Sequence, residues 1–262
     1  YKTGNIYSLV GKEKENVKII KKSLRTNIKV NFFYKKNSPT IIKKRFIDEI
    51  SKNKLLGVYT INEEKLQANL EKKLINNIKR YAKNCDLILV SDYGHGFISD
   101  KVAKIFNKSN LFFSLNAQIN ASNRGYHSLI KYKDIDSLII NENELRHEMR
   151  DKVGNLIKMG TKLIKFLNIK KLTVTQGNKG AVLIEKNGKS INSPAFANKV
   201  VDKVGAGDAM LAMISLGTKI KMKSDLVLFL CSLAGASAVE SIGNSEYLNK
   251  NQLLRQIQFS IK

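Results

Sequence analysis

The chain has 262 residues, of which 43% are hydrophobic, and its 46 Lys and Arg against 22 Asp and Glu give a formal net charge of +24. This length and hydrophobicity exclude a disordered or fibrous chain and suit one large α/β domain or two small ones. The lysines are spread along the chain with abundant Asn and Ile and form no patch interleaved with aromatic residues, so A+T-rich codons explain the charge better than nucleic-acid binding.

The first predicted elements are a short strand over residues 5–11 and an amphipathic helix over 14–24. Three β-rich runs follow without an intervening helix, and the turn signals "NSPT" and "SKN" separate them. Three successive strands of this kind predict a small antiparallel sheet within residues 29–61, set apart from the main sheet.

From residue 62 onwards, helical and strand-like patterns alternate. The predicted strands and helices are a helix at 63–84, a strand at 86–93, a helix at 99–109, a strand at 111–117, a strand entering a helix at 136–144, a helix at 153–168, a strand and hairpin at 170–194, and helices at 208–218, 224–241 and 249–258. This alternation predicts a mostly parallel sheet covered by helices on both faces. In such sheets ligands bind beyond the carboxyl ends of the strands, where "SDYGHG", "NENE", "TQGNKG" and "DKVGAGD" all fall.

The two cysteines, Cys85 and Cys231, lie far apart in apolar runs and form no C-x-x-C pair, so neither a zinc site nor a disulfide is indicated. We therefore expect a cytoplasmic protein. The longest apolar stretch, 226–239, is too short to span a bilayer and predicts a buried helix, so no membrane partner is expected. Because the chain opens with Tyr1 rather than Met, we expect it to be a fragment of a longer protein.

The stretch "DKVGAGD", residues 202–208, comes directly before a run with an apolar helical stripe. Gly205 and Gly207 would let the backbone turn tightly and let another group approach it closely. The first turn of a helix has unpaired N–H groups and a partial positive charge, which together favour phosphate. On this pattern alone, Asp208 fits either a functional residue or the cap of an ordinary buried helix.

Three motifs in this order and spacing resemble those of the ribokinase-like, or PfkB-type, carbohydrate kinases. The matching residues are Asp202, Gly205, Ala206, Gly207 and Asp208 for Asp-Thr/Ser-x-Gly-Ala-Gly-Asp, Asn141 and Glu144 for Asn-x-x-Glu, and Val174, Thr175, Gly177 and Gly180 for Val-Thr-x-Gly-x-x-Gly. The resemblance covers residues 85–245. It implies an α/β three-layer sandwich with a mostly parallel central sheet and a small antiparallel β lid.

Two further motifs are similar to the heptose-phosphate kinase branch, less specifically. They are Pro39, Thr40, Lys43 and Arg45 in a Pro-Thr-x-x-Lys-x-Arg strand, and Asp92, Tyr93 and Gly96 in an Asp-Tyr-x-x-Gly turn. The resemblance implies a single kinase domain over 1–262 that lacks its N-terminal segment, with residues 29–61 as the lid.

The implied reaction is transfer of the γ-phosphoryl group of ATP to a hydroxyl of a sugar or sugar phosphate, with heptose 7-phosphate as the candidate. Asp208 would accept the hydroxyl proton, and the N–H groups of Gly205, Ala206 and Gly207 would stabilise the transferring phosphoryl group. Asn141 and Glu144 would act on Mg²⁺ through water. The residues implied to border the nucleotide are Asn141, Glu144, Thr175, Gly177, Gly180, Asp202 and Gly243.

The resemblance also implies substrate contacts, each with a plainer alternative. Lys43 and Arg45 would pair with a phosphate on the sugar, or form a solvated edge strand that blocks aggregation. The remaining candidates near the sugar are Asp92, Asn116, Gln118 and, between two glycines, His95. Glu144 and His147 are three residues apart on a helix, which fits a surface pair better than a metal site.

The chain departs from the family pattern at three places. Lys203 replaces the usual Thr or Ser, and Asn116-Ala117-Gln118 replaces the common Asp-Pro. The family's Gly-Gly-x-x-x-Asn segment is expected before residue 1, so we expect residues 1–262 alone not to form a competent enzyme. The alternatives are an inactive kinase-like regulatory module and, less favoured, a nucleic-acid-binding protein. The expected partners are a second copy through the lid and a fused nucleotidyltransferase.

Overall fold

The computed structural model describes residues 3–50, 54–119, 123–241 and 248–261. The chain divides into two compact units. The first comprises Tyr1–Tyr81 with Gly94–Val102, and the second comprises Ala82–Tyr93 with Ala103–Lys262. The prediction of a single kinase domain stays a prediction.

The first unit opens with a β-α-β segment. Strand β1 (Gly4–Val10) pairs in parallel with β2 (Ile28–Tyr34), and helix α1 (Lys14–Lys22) connects them. Strands β3 (Ile42–Ile47) and β4 (Lys54–Thr60) form a separate antiparallel pair. The prediction that β2 belongs to the antiparallel sheet is therefore wrong, because the crossover through α1 lets β2 pair in parallel with β1.

A buried lysine fixes the chain that follows β2. Lys35 is 2% exposed, and its ammonium donates to the side-chain oxygen of Asn62 at 2.7 Å and to the carbonyl of Glu64 at 2.6 Å. Burial lowers the pKa of Lys35, and the charge of Glu64 opposes that effect. A buried ammonium is tolerated because it is hydrogen-bonded, so this lysine differs from the solvated ones around it. Helix α2 (Ala68–Ala82) follows and buries Leu74 and Ile78.

The second unit is built on a sheet of six strands, in the order β10-β9-β8-β7-β6-β5. Its strands are β5 (Leu87–Asp92), β6 (Phe112–Ala117), β7 (Ser137–Asn141), β8 (Lys171–Thr175), β9 (Ala181–Glu185) and β10 (Ser190–Ser193). Strands β5 to β8 are parallel, whereas β9 and β10 are each antiparallel to a neighbour. The mostly parallel sheet is confirmed. The carboxyl ends of β5 to β8 consequently lie along one edge.

Helices cover both faces of this sheet. The helices after β5 are α3 (Asp100–Asn107), α4 (Glu142–Met149), α5 (Leu156–Leu167), α6 (Ala206–Lys219), α7 (Ser224–Val239) and α8 (Lys250–Ile261). Leu183 of β9 packs with Met210 of α6 and Leu228 of α7, whereas its neighbour Ile184 packs against Gly160 of α5. Successive strand residues point to opposite faces, so α5 and the α6–α7 pair lie on opposite sides, as the three-layer expectation requires.

In the part of the chain that the structure describes, no helix has the length and apolar character that crossing a membrane requires. The predicted buried helix is α7, whose buried residues include Leu228, Cys231 and Ala234.

Candidate active site

The "DKVGAGD" motif forms a tight turn into α6. Gly205 is the N-cap of α6 with φ +86, a left-handed conformation that glycine adopts without steric cost. None of the described side chains caps this helix end, so the N–H groups of the first turn keep the partial positive charge of the helix. A Cβ at Gly207 would meet no atom within 4 Å. This end of α6 therefore has both the donors and the space that a phosphate group needs.

Asp208 lies in the first turn of α6, and two hydroxyls from the end of β5 contact its exposed carboxylate. The Tyr93 hydroxyl lies 3.1 Å from both Oδ1 and Oδ2, and the Ser91 hydroxyl donates to Oδ1 at 3.4 Å. Burial, followed by the charge of Asp208, raises the pKa of Tyr93 to about 12. The phenol therefore stays protonated at neutral pH and remains a hydrogen-bond donor to this carboxylate.

The Asn-x-x-Glu motif forms a capping box at the start of α4. The Asn141 side chain accepts from the Glu144 N–H at 2.9 Å, and the Glu144 carboxylate accepts from the N–H groups of Asn141 at 2.8 Å and Ile119 at 3.0 Å. Burial raises the pKa of Glu144, and the backbone hydrogen bonds offset part of this effect. The hydrogen bonds hold the Glu144 carboxylate in one orientation, and its contact with Mg²⁺ through water stays a prediction.

A cavity of about 920 Å³ lies beside this motif. Its lining includes Asn141 and Glu144 together with the basic side chains of Arg124, Arg150 and Lys152. This excess of positive charge suits a polyphosphate. Asp208 is not among the lining residues, so within the described ranges the cavity belongs to the Asn-x-x-Glu side of the site.

The Val-Thr-x-Gly-x-x-Gly segment forms the turn between β8 and β9. Thr175 ends β8 directly opposite Asn141, the last residue of β7. At Gly180, φ is +89 and a Cβ would overlap the carbonyl of Ser193, so packing against β10 explains this glycine. Gly177 has φ +61 and open space around a Cβ. Gly177 thus has free space for its predicted nucleotide contact, whereas Gly180 is needed structurally. The nucleotide contact of Thr175 stays a prediction.

Asp92 lies in a buried side-chain cluster rather than at an open site. Its Oδ2 accepts from the Tyr132 hydroxyl at 2.6 Å and lies 2.8 Å from the Lys131 ammonium. Nε2 of His127 is 3.8 Å from the same oxygen, and burial lowers the pKa of this imidazole. Burial acts to raise the pKa of Asp92, but the charges of Lys131 and His127 and the hydrogen bonds outweigh it, so the pKa lies below its usual value. This geometry favours a structural role over the predicted substrate contact.

The two polar residues at the end of β6, Asn116 within the strand and Gln118 directly after it, are also held by the backbone. The Asn116 amide is buried and donates to the carbonyl of Ile139 on β7 at 2.8 Å. Gln118 donates its N–H to the carbonyl of Asp92 at 2.8 Å, and its own carbonyl accepts from Asn123 at 2.9 Å. Asn116 is therefore bound into the sheet, while the sugar contact predicted for both residues stays a prediction.

Lys43 and Arg45 belong to the first unit, on one face of β3. The Lys43 ammonium lies 6.0 Å from the centre of the Tyr59 ring on β4, and burial lowers its pKa. Arg45 is exposed. The two cations thus lie on one side of an antiparallel hairpin, and their contact with substrate stays a prediction.

The remaining predicted site residues lie in different environments. His95 is buried, and its Nδ1 lies 3.5 Å from a carboxylate oxygen of Glu63. Asp202 accepts from the N–H of Val204 at 3.1 Å and so shapes the turn, while Lys203 is exposed. Gly243 lies outside the described residues. Among the residues with described positions, no group of three His, Cys, Asp or Glu could hold a metal, so His147 and Glu144 are not part of such a cluster.

With this geometry in place, comparison with known proteins defines the class. The pfkB family of carbohydrate kinases matches residues 5–249, so the chain belongs to this family and is a sugar kinase by class. ATP as the phosphoryl donor is implied by that membership.

The similar curated proteins share the name "Bifunctional protein HldE". The chain is 30% identical to that of Campylobacter curvus over 188 residues, which is 70% of this chain and 39% of the relative. It is 25% identical to that of Koribacter versatilis over 235 residues, which is 88% of this chain and 47% of the relative. The chain therefore spans less than half the length of these relatives.

Two solved structures are similar in fold. Ribokinase from Thermotoga maritima has a TM-score of 0.75 at 16% identity, covering 97% of this chain and 81% of that one. Phosphofructokinase-2 from Escherichia coli, in complex with potassium, has a TM-score of 0.77 at 13% identity, covering 99% and 83%. At these identities the likeness shows the fold alone, and it confirms the expected ribokinase-like α/β architecture.

Sequence reasoning missed part of this site. The sequence patterns assign no role to Ser91, and Tyr93 appears in them only as part of the Asp-Tyr-x-x-Gly motif. The signal was available, because residues 91 and 93 are two apart at a strand end and must share a face. Lys131 and Tyr132 were missed as well, since nothing local pairs them with Asp92 about forty residues away.

Proposed function

We propose that the chain transfers the γ-phosphoryl group of ATP to a hydroxyl of a phosphorylated sugar, with a heptose phosphate as the acceptor. The observation that carries the proposal is the exposed Asp208 carboxylate in the uncapped first turn of α6, beside the space at Gly207. A base next to phosphate-binding N–H groups is what phosphoryl transfer to a hydroxyl requires.

In this proposal Asp208 accepts the proton of the sugar hydroxyl while the hydroxyl oxygen bonds to the γ-phosphorus. The bond from that phosphorus to the bridging oxygen breaks, and ADP leaves with the electron pair. The N–H groups of Gly205, Ala206 and Gly207 donate to the phosphoryl oxygens, on which charge is spread. The proton is lost late in such a loose transition state, so a weakly basic carboxylate is adequate.

Asn141 and Glu144 are the residues proposed to act on Mg²⁺, through water. Mg²⁺ would neutralise charge on the phosphates of ATP. Arg124, Arg150 and Lys152 line the adjoining cavity and would attract the same polyphosphate electrostatically. Thr175, Gly177 and Asp202 are proposed to border the nucleotide, and Gly243 remains a proposal from the motif alone.

Three observations support a phosphorylated heptose as the acceptor. The motifs around Lys43 and Asp92 are similar to the heptose-phosphate kinase branch, and the curated relatives share the name HldE. Lys43 and Arg45 stand on one face of β3, where they would pair with the sugar's phosphate. The name "bifunctional" and the relatives' greater length also support a second activity, proposed as a nucleotidyltransferase, on the full-length protein.

A homodimer through the lid is part of the proposal. The face of the β3–β4 hairpin opposite Lys43 exposes Phe46, Leu56 and Val58. A group of exposed apolar side chains on an antiparallel pair is a typical protein contact surface.

The proposal is tested by the acceptor specificity of the full-length protein. We expect kcat/KM for heptose and hexose phosphates to exceed that for the free sugars, and the difference to shrink at high salt, which screens charge. Replacing both Lys43 and Arg45 by Ala should lower kcat/KM for the phosphorylated acceptors about 10- to 100-fold, since the phosphate of each acceptor loses its charged partners.

Lys18→Ala is the matched control, because Lys18 is exposed on α1 rather than on the β3–β4 hairpin. A preference for free sugars, or an equal effect of Lys18→Ala, would refute the phosphorylated acceptor. Failure of every sugar to release ADP would favour the inactive regulatory module instead.

A further inference from the structure

The hydroxyl of Tyr93 is the side-chain group that approaches both oxygens of the Asp208 carboxylate, at 3.1 Å each. Asp208 is exposed, while Tyr93 is half-buried, so the base projects towards solvent and its partner is anchored in the protein. We propose that Tyr93 is a positioning residue, which holds the Asp208 carboxylate in one orientation for proton transfer. This inference rests on the proposed role of Asp208 as the base.

The position of Tyr93 is fixed from several directions. Its carbonyl accepts from the buried Asn123 amide at 2.9 Å, and the same amide nitrogen donates to the carbonyl of Gln118. The preceding residue, Asp92, is held by Lys131 and Tyr132. The phenol is therefore carried by a rigid backbone, which is what precise placement of a catalytic group requires.

The chemistry of the contact also fits. A phenol that stays protonated is a permanent donor, and a hydrogen bond donated to a carboxylate favours its charged form. Because one carboxylate oxygen has two lone pairs, each oxygen can accept from Tyr93 and still face the sugar hydroxyl. Within the described ranges, the polar side chains that contact this carboxylate are Ser91 of β5 and Tyr93, which directly follows β5. Tyr93 therefore restricts the carboxylate without blocking proton transfer.

The test is Tyr93→Phe in the full-length protein. The phenylalanine keeps the ring and removes only the donor. We expect kcat to fall about 10- to 100-fold, the range for loss of a hydrogen bond to a charged group. The KM for ATP should change little, because the ring does not belong to the nucleotide contacts.

Tyr81→Phe is the matched control, because it removes the hydroxyl of another half-buried tyrosine, whose ring packs against Tyr7. It should leave both kcat and the KM for ATP unchanged. An unchanged kcat in Tyr93→Phe would overturn the inference. So would a loss of activity in Tyr93→Phe explained by a lowered Tm alone.

Asp208→Asn separates this inference from the proposed function. If Asp208→Asn keeps its turnover, the base assignment falls and the positioning role falls with it. If Asp208→Asn is inactive while Tyr93→Phe behaves like the parent protein, the proposed function stands and only the positioning role is rejected.

Discussion

The two faces of the end of β5 show opposite uses of polar side chains. Ser91 and Tyr93 face the exposed Asp208 carboxylate, whereas Asp92 between them is enclosed by Lys131, Tyr132 and His127. Because successive strand residues point to opposite faces, adjacent residues have different roles here. One face presents hydroxyls to a charged group in solvent, and the other neutralises a charge inside the protein.

We therefore expect substitutions on one face to change activity and substitutions on the other face to change stability. A buried carboxylate with hydrogen-bonded partners contributes to folding, and breaking such a cluster leaves Lys131 without its counter-charge. An exposed carboxylate contributes little to folding but is accessible to a substrate. The comparison therefore predicts that Asp208 and Asp92, the two carboxylates next to this strand end, respond to substitution in opposite ways.

The largest expected effect is on turnover. Asp208→Asn keeps the size and shape of the side chain but removes the proposed base, so kcat should fall about 10²- to 10⁴-fold. The free energy of unfolding should change by less than about 0.5 kcal/mol, as for other exposed substitutions. Steady-state kinetics with ATP and a sugar phosphate, together with urea denaturation, would measure both.

Asp225→Asn is the control for that variant, because Asp225 also lies exposed in the first turn of a helix, α7. It reproduces any helix-dipole effect without touching the site. Retained turnover in Asp208→Asn, or equal loss in Asp225→Asn, would contradict the assignment of the base.

The second effect is on stability. Asp92→Asn should lower the free energy of unfolding by about 3 kcal/mol, since it removes the carboxylate charge that lies 2.8 Å from the half-buried Lys131 ammonium. The folded pKa of Asp92 lies below the ordinary value of an aspartate. The stabilisation from the carboxylate is therefore present in full above about pH 4 and is lost as the pH falls through the folded pKa. Urea denaturation between about pH 7 and pH 3 should show the gap between variant and parent narrowing at the acid end.

Asp134→Asn is the matched control, because Asp134 is exposed and its hydrogen bond is to Asn168 at the surface. Its effect should stay within about 0.5 kcal/mol at every pH. A gap of constant size across the pH range would mean that the Asp92 charge is not what stabilises the cluster.

Much of this arrangement could be predicted from the sequence, because it depends on local patterns. The alternating runs predicted β5 to β8 and the helices between them, and the glycine turn before an apolar-striped helix predicted the position of Asp208. The prediction that β2 belongs to the antiparallel sheet is wrong, because partner choice depends on the crossover through α1 rather than on the strand's own residues.

The motif alone does not show which of Asp92 and Tyr93 contacts the proposed base and which has a structural role. Asp-Tyr-x-x-Gly gives the order of the residues, but the partners that decide which face is buried lie far along the chain, at Lys131 and Tyr132. Nor does composition distinguish buried Lys35 from the solvated lysines around it, since its acceptors at Asn62 and Glu64 are set by tertiary packing.

The smallest effect is expected at Ser91, whose hydroxyl lies 3.4 Å from Asp208, near the limit of a hydrogen bond. Ser91→Ala should lower kcat about two- to fivefold, less than Tyr93→Phe, because a long bond transmits less constraint. The double variant Ser91→Ala, Tyr93→Phe should lose less than the product of the two single losses, since both hydroxyls act on one carboxylate. Strictly multiplicative losses would mean that the two hydroxyls act independently, and the exposed face of β5 would then hold two separate contacts rather than one support for the base.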